Sequence, residues 1–265
     1  MRISTSSSKA QTASFKAALV SLLMQSDLER NLCAVARAVE DARTKDCQLV
    51  CLPECAVTGL PSGDYEADID LASDIPGHIA NRMADLAQSC SVYIATGILE
   101  RAHGQLYDTA VLFDNRGEIA LKYRRINPRW HSNKAPKDLY VEGAEFNLSS
   151  TPFGRIGFAV CGDIFDDRVV AMIQGAKPDY LIIPLSRRFD EDCYDEDQWE
   201  KEEKWSYVRQ IGRIGVTSLL VNSLEPLDRG ASFGGSLVVS RDGQIIAETG
   251  IGEPSILVCE LPRVA

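Results

Sequence analysis

Short apolar runs alternate with amphipathic stretches along nearly the whole chain. Residues 15–23, 48–52, 92–100, 106–113, 118–123, 146–152, 155–160, 180–184, 217–221, 235–240, 244–248 and 256–260 read as strands. Asp27 is placed to cap a helix running to about residue 45, with Leu28, Leu32, Val35, Ala36 and Val39 on one face. Further helices are predicted over residues 76–90, 166–174 and 198–214. Asp114-Asn115-Arg116-Gly117 marks a hairpin, and Gly154 and Asp242-Gly243 mark two more strand reversals. Residues 59–74, with Pro61, Gly63 and several acids, read as a loop. The polar stretch 126–145 reads as a long irregular loop, and the acidic stretch 190–203 as a solvated loop and helix start. Helices and hairpins mixed in this way argue against a purely parallel sheet. The pattern fits an α/β fold of two sheets packed face to face with helices outside.

Composition narrows the field. The chain has 265 residues, 45% of them apolar, enough for a sizeable core. Residues 1–14 are rich in Ser and Thr and are expected to be a flexible tail, leaving 15–265 as a single domain. A net charge of −10 argues against a nucleic-acid partner, and no apolar run is long enough for a membrane span. Eight cysteines and three histidines show no paired metal-ligand spacing. Neither a metal nor a cofactor is expected, and cysteines spread over strands and helices suit reduced thiols in a cytoplasmic protein.

Three residues carry candidate chemistry. Cys161 closes the apolar run Arg155-Ile156-Gly157-Phe158-Ala159-Val160 and opens Gly162-Asp163. Glu54 closes a second run, Gln48 to Leu52, and Lys122 sits near the end of a third. A carboxylate can take a thiol proton, a thiolate can attack a carbonyl, and a cation with backbone N–H groups can hold the oxyanion. Each also has a plain structural alternative: a buried core thiol, a turn-capping glutamate, a surface lysine.

These motifs resemble the nitrilase superfamily of carbon–nitrogen hydrolases. The resemblance rests on Leu52-Pro53-Glu54, on Lys122-Tyr123-Arg124-Arg125 and on Cys161-Gly162-Asp163. Lesser matches include Tyr107-Asp108-Thr109-Ala110, Pro184-Leu185-Ser186, Asn222 and Gly234-Gly235-Ser236. In places the chain is most similar to the glutaminase domain of glutamine-dependent NAD synthetases. The resemblance implies a four-layer α-β-β-α sandwich and an amidase-type hydrolase cleaving a non-peptide C–N bond of a small carboxamide. Cys161 would form a thioester, Glu54 would act as acid and base, and Lys122 with the Gly162 amide would hold the oxyanion. Asp163 would order the turn by accepting backbone N–H groups. A homodimer or larger even-numbered homo-oligomer is also implied.

The chain departs from the family pattern at several places. Lys137 aligns where many members carry a second glutamate, and Arg213 where another glutamate is expected. Asp108 replaces the asparagine of the Tyr-Asn-Thr-Ala turn. Tyr107, Trp130, Glu142, Ser186, Arg187 and Arg188 are candidate substrate contacts, and paired hydrogen bonds from Arg187 and Arg188 would suit a substrate carboxylate. Two alternatives stay open: an acyl transferase using the same thioester, and a non-catalytic binding or scaffold protein of the same fold.

Overall fold

The computed structural model describes residues 13–128, 136–189, 194–226 and 232–264. The chain opens with β1 (Ser14–Ser21), α1 (Leu28–Thr44) and β2 (Leu49–Cys51). Next come α2 (Tyr65–Leu71), α3 (His78–Cys90), β3 (Tyr93–Ala102), β4 (Gln105–Phe113) and β5 (Ile119–Arg124). The second half runs through β6 (Ser149–Thr151), β7 (Gly154–Phe158), α4 (Asp167–Ala176) and β8 (Tyr180–Leu185). α5 (Glu196–Gln198) continues through a π turn (Trp199–Glu203) into α6 (Lys204–Ile214). β9 (Thr217–Asn222), β10 (Ser236–Val239), β11 (Ile245–Glu248) and β12 (Ser255–Pro262) complete the fold.

The strands form two six-stranded mixed sheets, ordered β12-β1-β2-β3-β4-β5 and β11-β10-β9-β8-β7-β6. Each has a parallel centre, β1-β2-β3 in one and β7-β8-β9 in the other, flanked by antiparallel strands. Strand alternation explains why the central strands are apolar throughout. Ala17 and Leu19 of β1 face the second sheet, whereas Ala18 and Val20 pack with Leu32, Val35 and Val39 of α1 and Ile79 and Met83 of α3. On the other side, Val169 and Ile173 of α4 and Val208 and Ile211 of α6 cover the second sheet. The four layers are therefore α-β-β-α.

Asp27 caps α1 by accepting from Arg30 N at 3.0 Å, as its position ahead of the amphipathic run predicts. Residues 59–74 are not wholly loop, because α2 lies within them. Its acidic sequence lacks a clear apolar period, so the helix is held by polar contacts. Asp64 caps it, and buried Asp68 accepts from Ser62 N, Gly63 N and the Tyr140 hydroxyl, at 2.8, 2.8 and 2.7 Å. That last bond fastens part of the 126–145 connection beside α2.

Candidate active site

The site lies where strands of both sheets reach their carboxyl ends, the usual place for chemistry in α/β folds. Glu54 follows β2, and its amide donates to Leu185 O at the end of β8 at 3.3 Å. The turn can sit there because Gly97 on β3 has no side chain. A Cβ at Gly97 would stand 2.5 Å from Cys55 N and 2.6 Å from Glu54 Cα. Cys161 begins a 3-10 turn (Cys161–Phe165) and has φ +49°. Left-handed backbone disfavours a residue with a side chain, and such strain gathers at functional sites.

Asp163 secures the turn. Its carboxylate accepts from Val160 N at 3.1 Å, Asn127 N at 2.8 Å and the Tyr123 hydroxyl at 2.7 Å. Burial pushes its pKa up, while Arg125 and these donors pull it back. Gly162 lies in the first turn, where the N–H groups have no acceptor within the turn itself. A Cβ on Gly162 would lie 3.3 Å from Arg125 Nη2, so the guanidinium stands close to this turn.

The cation beside Glu54 is Arg125, not Lys122. Arg125 Nη1 donates to Glu54 Oε1 at 2.7 Å and to Asp108 Oδ2 at 3.2 Å, and all three side chains are buried. Strand parity gives the reason. Tyr123 packs into the core between the sheets, so Arg125 shares its side of the strand. Lys122 projects from the other face, donates to Glu100 Oε1 at 3.0 Å and is partly exposed. The placement of Lys122 in the site is thus corrected. A choice by residue type selected the lysine, whereas counting inward from Tyr123 would have found Arg125.

Burial raises the Glu54 pKa well above the usual carboxylate value, and the charges of Asp108 and Cys161 add to this against the pull of Arg125. Arg125 keeps its charge: burial opposes it, but Glu54, Cys161 and Asp108 outweigh the burial. Tyr207 on α6 also lies within electrostatic reach of Cys161, and burial drives its phenol pKa well up. In the sequence it looks like one more aromatic on the apolar face of a helix, and no local pattern marks it as part of the site.

The remaining candidates divide between two places. Ser186 is buried beyond β8 and bonds the hydroxyls of Ser223 and Ser232. Arg187 is clamped at its backbone by Asn222, which accepts from Arg187 N at 2.7 Å and donates to Arg187 O at 3.0 Å. Its guanidinium pairs with Glu203 and feels the charge of Cys161. Arg188 is exposed next to it. Tyr107 and Glu142 do not join this group. They line a groove of about 410 Å³ with Lys122 and Arg124, where the Arg124 guanidinium lies 3.5 Å from the Tyr107 ring centroid. Trp130 lies outside the described residues. No group of metal-ligating side chains occurs among the described residues.

A family model described as carbon-nitrogen hydrolase matches residues 16–265. The chain belongs to the carbon–nitrogen hydrolase family. It is 27% identical over 252 residues to the omega-amidase NIT2 of Bos taurus, covering 91% of this chain and 86% of that protein. The human omega-amidase NIT2 is 30% identical over 160 residues, 57% of this chain and 56% of that protein. Among solved structures, a variant of the amidase from Nesterenkonia sp. AN1 superposes with a TM-score of 0.77. It shares 20% identity and covers 94% of this chain and 93% of that one; its active-site cysteine carries a Michael adduct of acrylamide. The glutamine-dependent NAD+ synthetase of Acinetobacter baumannii gives a TM-score of 0.77 at 18% identity, over 95% of this chain and 46% of that one. These two likenesses concern the fold.

Proposed function

We propose that the chain is a thiol-dependent amidase that hydrolyses the C–N bond of a small carboxamide. The observation that carries this reading is Glu54 held by Arg125 at 2.7 Å, both within electrostatic reach of Cys161. Cys161 attacks the carbonyl carbon while Glu54 takes the thiol proton. Glu54 then protonates the leaving nitrogen, which departs as ammonia or an amine. Water attacks the resulting thioester with Glu54 again as base, releasing the acid and the free thiol. The Gly162 N–H and Arg125 hold the oxyanion, and one such donor is worth about 2.7–4 kcal/mol of barrier. The omega-amidase relatives support an amide rather than a nitrile substrate.

Two substitutions favoured a non-catalytic scaffold, but neither touches this group. Lys137 is exposed, and Arg213 pairs with Asp167 on the outside of α4 and α6. The deciding experiment is ammonia release across a panel of small amides, with Cys161→Ala as blank and mass spectrometry for an acyl adduct on Cys161. Turnover equal to the blank across the panel defeats the reading. The proposal extends to a cytoplasmic homodimer or larger even-numbered assembly. The free thiols among the described cysteines suit a reducing compartment, and light scattering on the purified chain gives the stoichiometry.

A further inference from the structure

Asp108 stands where the family pattern has asparagine, and Arg125 stands at the buried cationic position beside Glu54. The geometry joins the two. One guanidinium nitrogen, Arg125 Nη1, bonds both Glu54 Oε1 and Asp108 Oδ2, at 2.7 and 3.2 Å. The side chains of Glu54, Asp108 and Arg125 are 0%, 1% and 5% exposed. Each carboxyl retains one buried oxygen, Glu54 Oε2 and Asp108 Oδ1, that no protein group satisfies. The charge of Asp108 reaches Glu54 and opposes its ionisation. Two buried carboxylates therefore share one cation, which leaves an uncompensated negative charge and two acceptors that no protein group satisfies.

We propose that Asp108 is a positioning residue for Glu54: the two carboxyls form a pair that holds one proton between them beneath Arg125. The inference rests on the reading of Glu54 as the base toward Cys161. An ordinary glutamate titrates near 4.3 and a free thiol near 8.5, so a lone glutamate is a weak base for the cysteine by about four units. A second carboxylate narrows that gap by repelling the ionised form of Glu54. When Cys161 attacks, its S–H bond breaks and an O–H bond forms on the pair. The site's total charge does not change, and Arg125 stays cationic beside the developing thiolate. An arginine suits this arrangement better than a lysine, because its planar fork can serve two carboxylates and does not give up its proton. The other titratable groups facing Glu54 are Cys55 on its own turn, Cys161, and Tyr207 from α6. Asp163 faces Arg125 from the cysteine turn.

The test is a carboxyl carbon-13 NMR titration of Glu- and Asp-labelled protein, with Glu54→Gln to assign the resonance. In the wild type the pair shows a step well above the ordinary carboxylate range. In Asp108→Asn the Glu54 step falls by about one pH unit or more. The acid limb of kcat/KM moves the same way, which a merely structural role for Asp108 would not produce. A wild type with no carboxyl titrating above the ordinary range overturns the proposal, as does a Glu54 midpoint unmoved in Asp108→Asn. Should Asp108→Asn not fold, Asp108→Ser is titrated in its place, and a Glu54 midpoint unmoved there overturns the proposal equally. The titration needs no turnover. Failure to hydrolyse any amide would defeat the amidase reading, whereas an active enzyme with an ordinary Glu54 titration defeats only the carboxyl pair.

Discussion

Lys122 Nζ donates to Glu100 Oε1 at 3.0 Å on the face of β5 opposite Arg125. Glu100 is buried and also receives Arg124 and the Thr109 hydroxyl, so it keeps three donated bonds when the lysine is lost. Lys122→Ala therefore costs about 1 kcal/mol or less and changes kcat/KM by less than about threefold. Arg125→Ala strands two buried carboxyls and lowers stability by about 3–5 kcal/mol. Urea unfolding of the two variants, with amide turnover at a temperature where both are folded, separates the positions. Equal losses of activity in both would show that the two cations are not divided by strand parity.

Cys161 sits in left-handed backbone at φ +49°. Glycine adopts that conformation without the Cβ penalty, which is about 1 kcal/mol. Cys161→Gly is thus expected to abolish turnover and to raise the melting temperature by about 2–4 °C. Calorimetry of Cys161→Gly beside Cys161→Ala checks it, since alanine removes the thiol but keeps the strain. A glycine variant no more stable than the alanine variant would count against stored strain at the nucleophile.

The sequence pattern encodes some parts of the site and not others. Apolar runs placed the central strands because both of their faces are buried, as Ala17–Leu19 and Ala18–Val20 illustrate. Glu54 and Cys161 were legible because each ends such a run. The cation was not, because Lys122, Arg124 and Arg125 offer charge at adjacent positions and only the inward direction of Tyr123 distinguishes them. α2 escaped notice for a related reason. It is held by Asp68, whose partners Ser62, Gly63 and Tyr140 come from two separate segments, and no local pattern encodes such a contact.

Tyr123 reaches from β5 of the first sheet to Asp163 in the turn that follows β7, with its hydroxyl donating at 2.7 Å. Burial raises the phenol pKa well above its usual value, so the group remains a donor throughout the working range. Tyr123→Phe leaves Asp163 Oδ2 with only the Val160 amide and costs about 1–3 kcal/mol. The nucleophile turn loses its side-chain bond to β5 while keeping the Asn127 amide, and kcat falls more than KM rises. Chemical denaturation together with steady-state kinetics measures both. An unchanged kcat in a destabilised variant would confine Tyr123 to a packing role.

Glu54 also ties stability to pH, and the sign is opposite to that of most salt-bridged carboxylates. Its folded pKa is raised by burial, then by Asp108 and Cys161, so the folded state binds a proton more tightly than the unfolded chain. In the window between the ordinary value near 4.3 and the raised one, the folded state carries the extra proton. Stability contributed by this group is full below the unfolded pKa and is lost as pH rises through the folded pKa. Each unit of separation costs about 1.4 kcal/mol on the alkaline side. Glu54→Gln removes the ionisation while leaving an acceptor for Arg125. Its stability relative to wild type should therefore be greater at pH 8 than at pH 5, with no turnover at either. Guanidinium unfolding at the two pH values reads the difference directly. A relative stability that is the same at both would mean that Glu54 titrates alike in the folded and unfolded chains, despite its burial beside Asp108.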